Sequence, residues 1–104
     1  MSNFISLQEA QDYTTRFRAN KEKMLTEGYK DSLPFSETFD ADAIQTLLNQ
    51  EGCVKFRAYY GMNDKNEVCM IFVGVDANDE DILNNNILLD RGNRCPPYCN
   101  FQPL

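Results

Sequence analysis

Two rhythms of apolar and polar positions run along this chain, and they predict its elements. From Ser6, the order Ser6-Leu7-Gln8-Glu9 fits a capping box in which the hydroxyl takes the Glu9 amide and the Glu9 side chain returns to the Ser6 amide. Beyond it Ala10, Tyr13, Phe17, Met24 and the flanking Leu25 recur at three-, four- and seven-residue steps, which predicts an amphipathic helix to about Glu27, ended by Gly28. Such a helix is long enough to cover a sheet. A second, shorter helix is predicted from about Ala41 to Gln50, with Asp40 as N-cap, Asp42 in the first turn, Ile44, Leu47 and Leu48 as its apolar stripe, and Gly52 as its closing residue. Between the helices, Pro34 cannot donate to a ladder. A strand among Leu33, Phe35 and Phe39 therefore lies on an edge or begins after the proline.

The period shortens to two further on. Val54 to Tyr60 and Val68 to Val75 are rich in Val, Ile, Phe and Tyr and flank a polar turn, which predicts an antiparallel hairpin. The first strand alternates, with Val54, Phe56, Ala58 and Tyr60 on one face and Lys55, Arg57 and Tyr59 on the other. The second is apolar on both faces, so either two helices sandwich it or one face meets another chain. An acidic stretch from Asp76 to Asp81 follows, then Ile87-Leu88-Leu89 and a tail holding three of the four prolines. The expected fold is α+β: a long N-terminal helix, a second short helix, an antiparallel hairpin in a small sheet and an irregular C-terminal tail. Residues 1–90 form one domain, and residues 91–104 form a tail packed on it or extending from it.

Charge and composition narrow the partners. The 104 residues carry a net charge of -6, with +1 over residues 1–30 and -7 over the remainder. This works against nucleic acid and anionic membranes as partners. No apolar run reaches the roughly 18 residues of a membrane helix, and no secretory leader pattern opens the chain, so a cytoplasmic protein is expected. Histidine is absent, which removes the commonest general base and zinc ligand and leaves carboxylates, lysines, tyrosines and cysteines for any chemistry.

Three groups of residues carry candidate chemistry. Asp76, Asn78 and Glu80 alternate as in a calcium loop, but Asp81 stands where the turn demands Gly and Ile87 where a bidentate Glu is needed, so a solvated acidic turn is expected. Cys95 and Cys99 flank Pro96-Pro97-Tyr98 and are candidate metal ligands or a redox pair. A disulfide requires the segment to turn back, since extended prolines hold the alpha carbons roughly 12 Å apart. The expected state is reduced thiols in a rigid tail packing Tyr98 and Phe101 on the domain. Cys53 and Cys69 cannot join them in one metal site: with the turn centred near Asp64, Cys69 faces about Tyr59 and Cys53 lies roughly 20 Å away along the strand. Both are expected as small core residues. Finally, Lys55, Arg57 and Tyr59 share a strand face that can hold an anionic ligand unless the acidic excess pairs with it.

The run Phe39-Asp40, Ala43-Ile44, Leu47-Leu48, Glu51-Gly52-Cys53, Phe56-Arg57, Tyr59-Tyr60-Gly61, Val73-Gly74-Val75-Asp76, Asp81-Ile82 and the ending Cys-Pro-Pro-Tyr-Cys resembles a group of small uncharacterised bacterial proteins. They share an Arg-x-Tyr-x-Gly strand, a Val-Gly-Val/Thr-Asp strand and a terminal Cys-Pro-Pro-x-Cys. The resemblance spans about residues 39–99 and implies a cytoplasmic α/β domain. Arg57, Tyr59, Asp76, Asp81, Cys95 and Cys99 match its pattern without any assigned role. The resemblance implies no activity; the both-face apolarity of Val68 to Val75 and the missing catalytic chemistry predict a non-catalytic, cofactor-free protein-interaction module that self-associates or binds another protein. The alternatives are a thiol redox or metal-binding protein acting through Cys95 and Cys99, and an enzyme for a small anionic substrate using Arg57, Tyr59 and Asp76.

Overall fold

The computed structural model describes residues 3–104 and has an α+β architecture. In chain order it contains α1 (Leu7–Met24), β1 (Ser36–Thr38), α2 (Ala41–Leu48), β2 (Lys55–Met62), β3 (Val68–Val75), β4 (Leu88–Leu89) and β5 (Asn93–Cys95). Strands β2, β3 and β4 form one antiparallel sheet in that order, and β1 pairs with β5 in a second. The strand near Pro34 thus begins after the proline, and it pairs with a strand from the C-terminal tail.

The hairpin register follows from its turn. The Asn66 amide bonds the Asn63 carbonyl (3.1 Å) and the Asn63 amide bonds the Glu67 carbonyl (3.0 Å), with Asn66 in the left-handed region at φ 62°. Asparagine tolerates that backbone better than most residues. The Asn63 side chain also takes the amides of Lys65 and Glu67. This turn sets Gly61 opposite Cys69 and Lys55 opposite Val75. The cross-strand partner of Cys69 is therefore Gly61, two residues from the expected Tyr59.

β3 is the central strand, and none of its residues is exposed. α2 lies on the face that carries Gly74: a Cβ there would meet Gln50 Nε2 at 2.7 Å and Cys53 Sγ at 3.1 Å, so only glycine lets the helix end approach. Leu47 of α2 is fully buried, and Phe72 packs edge-on against both Phe39 (4.8 Å between centroids) and Phe56 (5.4 Å). On the opposite face Val73 and Val75 are also fully buried. That is why β3 reads apolar on both sides.

α1 departs from its expected role. Ser6 caps it through its hydroxyl to the Glu9 amide (3.0 Å), but the helix ends at Met24, and Gly28 (φ +91°) sits in the turn beyond. It does not cover the sheet and packs extensively on no other helix or strand. Its inward stripe is Ala10, Thr14, Phe17 and Lys21, whereas Tyr13 and Met24 are exposed. Polar contacts choose that stripe. The Lys21 ammonium lies 4.7 Å from the Phe35 ring centre, and Thr14 and Arg18 both donate to the Leu104 carbonyl. α2 also stops early, at Leu48, and the Asp40 side chain makes no capping bond.

Candidate functional site

Two clusters gather the titratable side chains. The first stands on the β2 face opposite α2. Arg57 donates one guanidinium nitrogen to Asp81 and the other to Asp79 Oδ1 (3.1 Å), Tyr59 donates its hydroxyl to the second Asp81 oxygen, and Lys55 reaches Asp79 at 2.8 Å. Strand alternation presents Lys55, Arg57 and Tyr59 together, and the 76–81 turn brings the aspartates over them. Asp76 shapes that turn: its carboxylate accepts the amides of Asn78 (2.9 Å) and Glu80 (3.0 Å). Asp79 takes the left-handed backbone at φ 65°.

Charge in this cluster is already paired. Burial pulls the Arg57 pKa down, but the hydrogen bonds to Asp81 and Tyr59 and the nearby aspartate charges outweigh it and leave the guanidinium raised. The hydrogen bond to Asp81, aided by burial, holds the Tyr59 phenol above its ordinary value. Asp79 is lowered, first by its bond to Lys55 and then by the Lys55 and Arg57 charges. Of the sequence candidates, Arg57, Tyr59 and Asp81 meet, while Asp76 is occupied by its own turn. An anionic ligand would have to displace two aspartates from the cations that attract it. An anion at Arg57 and Tyr59 would thus compete with pairs already formed, and Asp76 stands apart in its own turn.

The second cluster was not legible as a site. Arg94 of β5 donates to the Val68 carbonyl and to the Ser32 carbonyl (3.1 Å), and it stands 3.5 Å from Glu37 Oε1 and 3.9 Å from Glu67 Oε2. The Glu37 side chain is 5% exposed, and burial outweighs the Arg94 charge to raise its pKa. Glu67 is lowered, mainly by the Asn63 amide. The available signal for Glu37 was parity: it alternates with Phe39, which packs on Phe72, and so points inward with it. A lone arginine between Asn93 and Cys95 offered no comparable signal.

The tail thiols are a correction. Cys95 and Cys99 form a disulfide, with alpha carbons 4.9 Å apart, so they are not the reduced pair expected. The segment doubles back through the Tyr98 amide on the Arg94 carbonyl (2.8 Å) and the Cys99 amide on the Pro97 carbonyl (3.1 Å); the bonds preceding Pro96 and Pro97 are both cis. Joined to each other, these sulfurs are not thiolate ligands in this state. The disulfide lines a cavity of about 370 Å³ with Thr14, Arg18, Phe35, Phe101 and Leu104. Among the described residues no group of three or more His, Cys, Asp or Glu side chains could hold a metal ion. Cys69 is raised by burial first and then by the Asp90 and Glu37 charges, all of which disfavour the thiolate.

No described helix is long and apolar enough to cross a membrane. Comparison of the chain with protein-family models, with curated proteins and with solved structures finds no match.

Proposed function

We propose that this chain is a non-catalytic protein-interaction module whose docking surface is centred on β2. The observation that carries the reading is excess surface. The chain exposes 8091 Å², whereas an ordinary compact monomer of 12.0 kDa exposes about 6000 Å². Its radius of gyration is 15.6 Å against roughly 13 Å for a compact chain of this length. The difference, about 2100 Å² on one chain, is well above the roughly 800 Å² that each partner buries in a standard-size interface, so the surplus is ample for one. Much of it is apolar: Phe56, Tyr60 and Met62 along one face of β2 are 48%, 80% and 54% exposed, and Val54 just before the strand is 61% exposed. The Arg57 cluster supports the same reading, since its charges are consumed internally and leave no free acid, base or nucleophile.

The test is native mass spectrometry of unalkylated protein beside a Cys95→Ser, Cys99→Ser variant. The expected result is an assembly larger than one chain, without metal, in both samples. A strict monomer across a wide concentration range removes the self-associating form of the reading.

A second reading is favoured by the disulfide at the rim of the cavity beside α1: a thiol redox protein cycling between Cys95–Cys99 and the dithiol. It predicts a gain of two hydrogens on reduction, confined to the peptide spanning both cysteines, with loss of activity toward a thiol reductant in the serine variant. An assembly that persists unchanged in that variant favours the interaction module.

A further inference from the structure

β2 is an edge strand with its outer row of backbone groups open. The phase of the ladder shows which groups these are. Because Asn63 and Glu67 form a hydrogen-bonded pair, every second pair along the hairpin does so as well, and Arg57, Tyr59 and Gly61 direct their N–H and C=O groups to β3. Phe56, Ala58 and Tyr60 direct theirs away from it. The equivalent outward row of β3 is filled: the Val68 amide bonds Ser32, the Gly74 carbonyl accepts from Ile82, and Phe72 pairs with Leu89 of β4. The row on β2 meets no partner among the described residues. Natural edges are blunted by proline, bulges, short length or free charge. β2 is eight residues long, contains no proline, and has Lys55 and Arg57 tied to Asp79 and Asp81.

We infer that a second copy of this chain occupies that edge, with the two β2 strands antiparallel about a two-fold axis at Ala58. The inference rests on the interaction module proposed above and names its partner. The sequence of β2 is complementary to itself in this register. Phe56 faces Tyr60 of the second copy on the α2 side, Arg57 faces Tyr59 on the other, and Lys55 faces Gly61, so no like charges meet. Moving the register by two residues in one direction sets Arg57 against Arg57. Moving it the other way replaces both aromatic pairs on the α2 side by Phe56 with Met62 and Ala58 with Tyr60. In the Ala58 register the outward groups of Phe56, Ala58 and Tyr60 supply about six main-chain hydrogen bonds. The two three-stranded sheets become one continuous sheet, and the exposed apolar residues of both copies form a single stripe on the α2 side.

Charge placed at the axis tests this. Ala58 is exposed, so Ala58→Lys and Ala58→Glu leave the separate chain folded, which circular dichroism checks. Light scattering after size exclusion should show a dimer for the unaltered chain, dimerisation weakened about tenfold or more in each variant alone, and a restored dimer when Lys and Glu variants are mixed. A dimer that survives in both single variants overturns the inference and leaves the interaction module standing, because assembly then uses another surface. Dissociation of both without rescue on mixing overturns the register. A monomer at every concentration overturns the inference together with the self-associating form of the interaction module. The unaltered chain gives an independent reading: amide exchange at Phe56, Ala58 and Tyr60 should slow as concentration rises, and rates independent of concentration would contradict the pairing.

Discussion

The two helices invert the usual relation between length and anchorage. α2 has 8 residues, yet it seats Leu47 at zero exposure against β3 and touches three strands of the main sheet. α1 has 18 residues, and its only buried side chain is a lysine. Apolar spacing proposed a stripe through Tyr13, Phe17 and Met24; the helix instead turns Thr14 and Lys21 inward because the surface it meets offers a carbonyl and an aromatic ring. A helix is anchored by what faces it, and length adds surface before it adds stability.

Four substitutions press on that contrast. Leu47→Ala should cost about 3 to 4 kcal/mol in urea unfolding, since a fully enclosed leucine leaves a cavity the helix cannot close. A cost near that of a surface site would mean that α2 is not the anchor. Arg94→Ala should follow at about 2 to 4 kcal/mol, because it strands the buried Glu37 carboxylate and frees the Val68 and Ser32 carbonyls together. If Glu37→Gln added to Arg94→Ala recovers part of that loss, the buried charge is its source. Lys21→Ala should cost about 1 kcal/mol through lost stem packing and the Phe35 contact. Met24→Ser should stay within about 0.5 kcal/mol, and a larger effect on thermal unfolding would show that α1 is held by more than its polar contacts.

The fold class was legible because periodicity survives wherever one face is buried. β3 was bounded to the residue by its unbroken apolar run, and Asp40 and the stripe of Ile44, Leu47 and Leu48 located the start of α2 but not its end at Leu48. The β1–β5 pairing was not legible, since it joins residues almost sixty positions apart through two three-residue strands that carry almost no pattern. The Arg57 cluster was half visible: alternation placed Lys55, Arg57 and Tyr59 on one face, but the aspartates that neutralise them arrive through turn geometry. The disulfide eluded the proline-based distance argument because that argument assumed an extended segment, and the tail instead closes on itself through the Arg94 and Pro97 carbonyls.

The placement of the remaining cysteines has a consequence for oxidation. Cys53 lies beside Gly74 at one end of the sheet, while Cys69 sits opposite Gly61 near the other, five residues further back along β3 and roughly 17 Å away at 3.3 Å per residue. A bond between them would require the hairpin to come apart. Cys53 and Cys69 therefore form no disulfide of their own beside Cys95–Cys99 while the sheet holds. A Cys53–Cys69 bond found after oxidation would thus report that the hairpin had opened, and not a redox state of the folded chain.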